Sequence, residues 1–188
     1  MNVRRHDPER RSRIIDACLD VVAEVGVAGV SHRKIAAAAD VPLGSMTYHF
    51  DGIDQILYEA FTRFAQAASS QFEARMSAAG TAQEARQAVA DLIVTDTLST
   101  QRELVLMQEL YTLAARIPSF RSITSAWMAA SRAALEMHFD PATARLLDAT
   151  IEGLSLHRAL DTEPHDPQVA LDAIDRILAT ADRKAHRP

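Results

Sequence analysis

Apolar residues recur at three- and four-residue intervals along most of this chain, the spacing of one face of an α-helix. No segment shows the strict alternation between turns that marks a strand. Ile14, Ile15, Cys18, Leu19, Val22 and Val25 form the first stripe, which predicts a helix from about Pro8 to Val25 ended by Gly26. Ile35, Ala36 and Ala39 mark a short helix that Ser31 can cap, and a second short helix follows over about Leu43 to Phe50. Ile53, Ile56, Leu57, Ala60, Phe61, Phe64, Ala65, Ala68, Phe72 and Met76 then sustain the period through a long helix, about Asp54 to Ala78. Gly80-Thr81 caps a helix over about Ala82 to Leu98, and another runs from about Thr100 to Ile117 and stops at Pro118. The rest reads as helices over about Phe120 to Phe139, ended by Asp140-Pro141, then Ala142 to Leu160 and Pro167 to Arg183. Residues 162–166 form the loop before the last helix. The prediction is an all-α chain of about nine helices, with no internal repeat or low-complexity tract.

The two short helices carry the chemistry. Asp40 sits where the chain must turn, and Asp tolerates the left-handed conformation better than most residues. Pro42 lacks a donor, so it fits at the first turn of a new helix. Ser45, Thr47, Tyr48 and His49 can donate hydrogen bonds to phosphates or base edges. Together these features read as a helix-turn-helix, with the second helix as the recognition helix.

Charge sharpens this picture. The chain carries a net charge of −5, which argues against nucleic-acid binding by the whole surface. Residues 1–50 hold seven Arg and Lys against six Asp and Glu, whereas residues 51–188 hold thirteen against nineteen. An acidic body would be repelled from DNA and leave the head to approach it. A division into a DNA-binding domain over 1–50 and a helical body over 51–188 follows. Residues 1–8 read as a mobile arm carrying Arg4 and Arg5.

The single cysteine, Cys18, excludes an intrachain disulfide and reads as a small buried hydrophobe. No apolar run approaches the ~20 residues that span a bilayer, and the polar N-terminus is unlike a signal peptide, so a cytoplasmic location is expected. No enzyme is expected either. Gly153, Ser155 and His157 superficially evoke a nucleophile elbow, but the second glycine is missing and the segment lies mid-helix. There is no phosphate-cradling glycine loop and no metal or cofactor motif. His138 and His157 read as ordinary partly buried histidines.

The block IAAAADVPLGSMTYHF, preceded by GVAGVSHRK, resembles the head of the TetR family of transcriptional regulators, with the match strongest over about Arg11 to Leu57. The resemblance implies a three-helix DNA-binding head on a larger helical body that binds a small molecule and dimerises. It places Ser31 on a phosphate and Arg33 at a base edge, with Leu43, Gly44, Ser45 and Thr47 facing the major groove. Tyr48 and His49 would brace the DNA backbone, with Lys34 nearby. Two positions depart from the family pattern. A lysine that commonly holds a phosphate is Ile53 here, and the usual turn glycine is Asp40. Leu43 also replaces a frequent polar residue. Arg4, Arg5, Arg10 and Arg11 are therefore expected to supply part of the phosphate contact.

For the body, the middle helices offer Phe61, Phe64, Leu104, Met107, Gln108, Tyr111, Trp127 and Met128 as effector-binding residues, a mixture of adaptable apolar groups and a few polar ones. The family pairs its last two helices with those of a partner. Leu147, Ile151 and Leu154, with Val169, Ala170, Ile174, Ile177 and Leu178, supply matching apolar stripes, and Gly153 and Ser155 permit close approach. The expected protein is a homodimeric, ligand-released repressor of a pseudo-palindromic double-stranded operator, without cofactor or membrane partner. A small-molecule-binding helical protein, or an adaptor without sequence-specific DNA binding, are the alternatives.

Overall fold

The computed structural model describes residues 9–185. Among these the chain is helical throughout, with no strand. The helices are α1 (Arg10–Val25), α2 (His32–Ala38), α3 (Gly44–His49), α4 (Ile53–Ala78), α5 (Ala82–Asp91), α6 (Gln101–Arg116), α7 (Pro118–Leu135), α8 (Pro141–Leu160) and α9 (Pro167–Ala185). A 3₁₀ turn, Val27–Gly29, joins α1 to α2, and a π-helical turn, Leu92–Asp96, continues α5. No helix among the described residues is long and apolar enough to cross a membrane.

The chain forms two compact units. The first takes the residues up to Ala65 together with Val105–Ile123, and the second takes Gln66–Leu104 and the residues from Thr124 onward. In the first unit α1 lies against α2, and α2 against α3. The stripe predicted for α1 is buried as far as Val22, while Val25 is exposed. Cys18 is fully buried, and burial pushes its thiol up to about 12, so it stays protonated and unreactive near neutral pH. Gly26 ends α1 at a φ of 68°, its N–H donating to the Val22 carbonyl at 2.9 Å.

The second unit has one hydrophobic core. Phe72 and Met76 of α4, Val89 of α5, Ile93, Leu135 of α7, Leu147 and Ile151 of α8, and Ile174 of α9 lie in it. Its helix starts are strongly capped. Thr81 and Glu84 form a reciprocal capping box at α5, with the Glu84 carboxylate also accepting from the Gly80 N–H at 2.6 Å. Asp140 accepts from the N–H groups of Ala142 and Thr143, at 3.0 and 3.2 Å, and from the Thr143 hydroxyl at 2.5 Å. Arg86 of α5 grips Asp175 of α9 with two parallel bonds of 2.5 and 2.6 Å. His138 bonds the Met76 carbonyl at 2.8 Å, and His157 is exposed.

Three boundaries differ from the expectation. Pro118 starts α7 instead of closing α6, because a proline at the first helical position loses no intrahelical bond. Pro141 likewise starts α8 behind the Asp140 cap, and α7 ends at Leu135, short of Phe139. The helix predicted through Leu98 leaves α-geometry after Asp91. There Arg158 donates to the carbonyls of Ile93, at 2.8 Å, and Thr97, and Arg75 pairs with Asp96. The Arg158 bond takes up the Ile93 carbonyl, which a regular helix would give to the Thr97 N–H; that N–H instead donates to Leu92 at 2.9 Å.

The caps carry a pH signature. The Thr143 hydroxyl, then the Thr143 and Ala142 N–H groups, hold the Asp140 carboxyl below its usual value, and the Arg86 bonds do the same for Asp175. A lowered folded pKa gives stability that is complete above the unfolded value, near 4, and is lost as pH falls through the folded one. The thermal midpoint should therefore hold down to about pH 4 and then fall. An Asp140→Asn and Asp175→Asn double variant should show a shallower acid decline, measurable by circular dichroism melts between pH 7 and pH 2.5.

Candidate nucleic-acid interface

Ser31 caps α2, its Oγ accepting from the Lys34 N–H at 3.3 Å, so the hydroxyl singled out in the sequence is committed to holding the helix start. Lys34 turns back and donates to the Gly29 carbonyl at 2.8 Å. Arg33, on the preceding position of the helix, is exposed, and its side chain makes no hydrogen bond or ion pair with the described residues. Asp40 takes up the turn at a φ of 52°. Asp tolerates the left-handed region better than most residues, but less readily than glycine. Asp40→Gly should raise stability by about 0.5–1 kcal/mol, as read from urea melts, because the exposed carboxylate gives up no bond in exchange.

Helix α3 is six residues long and displays two faces. Tyr48 is 82% exposed and Leu43, just before the helix, 54%; Gly44 and Thr47 are exposed with them. Inward lies fully buried Met46, and Phe50, which closes the helix, is 4% exposed. Ser45 departs from the expectation: it is only 8% exposed, on the inner side beside Met46. His49 is half-buried and stacks edge-on against Tyr48, ring centres 4.8 Å apart. Ile53 is the half-buried first residue of α4.

The arginines expected to supply phosphate contacts divide. Arg4 and Arg5 lie outside the described residues. Arg10 is half-buried. Arg11 donates to Glu59 of α4 at 2.5 Å and lies 4.9 Å over the Phe50 ring, so its charge is already matched inside the protein. Sequence spacing could not reveal a partner 48 residues away.

Of the residues expected to bind an effector, Phe61, Phe64, Met107, Gln108 and Tyr111 belong to the first unit and Leu104, Trp127 and Met128 to the second. Phe61, Leu104 and Met107 are buried, and the other five are half-buried. Phe61 meets Phe120 edge-on at 6.4 Å, and Phe120 meets Tyr58 at 5.7 Å, whose hydroxyl lies 3.2 Å from the Ser122 hydroxyl. Tyr58 and Phe61 form an aromatic pair one turn apart in α4.

On α8 and α9 the expected interface residues separate by depth. Leu147, Ala170 and Ile174 are fully buried in the second unit's own core, Ile151 is 7% exposed, and Leu154, Ile177 and Leu178 pack against that core. Val169 is 45% exposed. Ser155 is fully buried, its hydroxyl without a hydrogen-bond partner among the described residues. The outward stripe of α8 is a different one: Leu146, 52% exposed, Ala149, Gly153, His157 and Leu160, 60% exposed, recur at helical spacing. A side chain added at Gly153 would meet open space.

Comparison with known proteins accords with this geometry. Residues 14–60 match the family model described as bacterial regulatory proteins of the tetR family, and residues 80–180 match a tetracyclin repressor-like C-terminal domain. Among solved structures, a protein described as a transcriptional regulator, SCO7518 of Streptomyces coelicolor A3(2), is 58% identical over 90% of this chain and 98% of its own, with a TM-score of 0.85. The multidrug binding protein EbrR, solved with imidazole, is 37% identical over 93% of this chain and 92% of its own, with a TM-score of 0.76. EbrR has also been solved with ethidium, proflavin and malachite green. SCO1917, a TetR-family member from Streptomyces coelicolor A3, is 36% identical over 90% of this chain and 98% of its own, with a TM-score of 0.74. No curated protein matches the chain. The two family models span most of the chain between them, and on that ground the chain belongs to the TetR family of bacterial transcriptional regulators.

Proposed function

We propose that the chain is a ligand-released repressor that binds a pseudo-palindromic operator as a homodimer, with residues 1–50 as the DNA-binding head and residues 51–188 binding ligand and partner. The observation that carries this reading is the outward face of the helix-turn-helix, where Leu43, Thr47 and Tyr48 stand exposed beside an unengaged Arg33. Arg33 suits a guanine edge and Leu43 a thymine methyl. One head gives a small interface, and two-fold pairing at one-turn spacing doubles it. The exposed stripe of α8, Leu146 to Leu160, with Val169 of α9, is the surface we assign to the partner copy.

The likeness to EbrR supports a bulky aromatic cation as the effector class. The aromatic and Met side chains proposed for the body suit such a ligand through ring contact and cation–π attraction. The effector acts by population shift, holding the heads away from one-turn spacing, and a differential affinity of about 1–3 kcal/mol suffices. Malachite green is the first probe to use, since ethidium and proflavin themselves intercalate into duplexes. Titration should quench the Trp127 fluorescence and, at saturation, lower affinity for a duplex enriched from a random pool by about 5- to 150-fold. Binding of the dye with no change in duplex affinity would sink the switch.

A further inference from the structure

A ring of contacts closes around the end of α3. The Asp51 N–H donates to Gln55 Oε1 at 2.7 Å, and Gln55 Nε2 donates to Glu59 Oε1 at 3.0 Å. Arg11 Nη2 donates to the same Glu59 oxygen at 2.5 Å, and the Arg11 guanidinium lies 4.9 Å over the ring of Phe50. Phe50 and Asp51 are neighbours, so the ring begins and ends at the residue pair that closes the recognition helix. Gln55 and Glu59 stand one turn apart on the same face of α4. A second tie runs alongside: Arg63 donates to the Ser12 carbonyl at 3.1 Å and to Asp16 Oδ1 at 2.6 Å, fastening α4 to α1.

We propose that Gln55, Glu59 and Arg11 are positioning residues that fix the C-terminal end of α3, with Arg11 acting as an internal strut and not as a phosphate contact. This rests on the reading that α3 enters the major groove. The logic is electrostatic. The Ile53 side chain cannot hold a phosphate as a lysine would, so the helix end gains no side-chain anchor from DNA at that point. The ring supplies one from within: Glu59 neutralises Arg11, Arg11 covers Phe50, and Gln55 takes up the Asp51 N–H, which the end of α3 leaves outside its own helical bonds. Tyr48 and Thr47, one turn back from the ring, are the exposed groups whose aim it sets.

The test uses the full chain and the variants Gln55→Ala, Glu59→Ala and Arg11→Ala. Amide hydrogen exchange at Asp51 in the absence of DNA should quicken about two- to fivefold in each, the scale of a partly exposed charged contact. Affinity for the enriched duplex should fall by a similar factor, while affinity for a scrambled duplex holds, and Glu59→Gln should recover only part of the loss, because an acceptor oxygen remains but the charge that neutralises Arg11 does not. In Arg11→Ala the salt slope should be unchanged. The Gln55→Ala and Arg11→Ala pair should be less than additive, since either change alone already opens the ring. A salt slope reduced by about 0.9 in Arg11→Ala would make that arginine a phosphate contact and overturn the strut. Unchanged Asp51 exchange in all three variants would overturn the ring. Should the native chain enrich no duplex, the DNA-binding reading fails, and the exchange measurement still decides the ring.

Discussion

Arg33→Ala is expected to lower affinity for the enriched duplex by about 1–3 kcal/mol, roughly 5- to 150-fold, and to relax sequence preference at one position of each half-site. The size follows from what the side chain does in the protein alone, which is nothing measurable. Arg33 is exposed and unpartnered among the described residues, so its removal leaves no cavity and no orphaned bond. Stability should stay within about 0.5 kcal/mol of the native value. Arg33→Lys should restore phosphate attraction but not the two-pronged hydrogen bonding of a guanine edge, and so should recover salt dependence without specificity. Electrophoretic shifts with the enriched duplex and its single-position variants read both quantities. Loss of affinity that is uniform across all sequences would place Arg33 on the phosphate backbone.

Adjacent leucines on α8 should behave as opposites. Leu147 is fully buried in the core of its own unit, so Leu147→Ala should destabilise the protomer by about 2–5 kcal/mol. Leu146 is 52% exposed on the outward stripe, so Leu146→Asp should leave core packing intact. Facing its own copy across a two-fold axis, the new carboxylate meets its like in an apolar surface, and the dimer should dissociate. Sedimentation velocity should show a folded monomer for Leu146→Asp, with an enriched duplex bound weakly if at all. A Leu146→Asp chain that stays dimeric would move the partner surface elsewhere.

Much of this molecule was legible in the chain itself, wherever one residue's local chemistry was decisive. Gly26 as a helix end, and Ser31 and Thr81 as helix caps, follow from backbone sterics and orphaned N–H groups. The stripe of α1 was readable because only one side of that helix is buried. Other features were not local. Both Pro118 and Pro141 can follow one helix or start the next, and the sequence does not say which. Helix α8 is apolar on two sides, so periodicity finds its stripes without revealing that Leu147 faces its own core and Leu146 faces outward. Ser45 sits on a helix of six residues, too short for a period to separate its faces. The pairing of Arg11 with Glu59, and of Arg158 with the Ile93 and Thr97 carbonyls, depends on how distant segments fold together.

The central claim is that two copies of this chain read one symmetric duplex. Selection of bound sequences from a pool of random duplexes, at fixed moderate salt, tests it most directly. An inverted repeat should be enriched, its half-site centres about 10–10.5 base pairs apart or a multiple of that spacing. Enrichment of a single asymmetric site, or of no sequence at all, would contradict it.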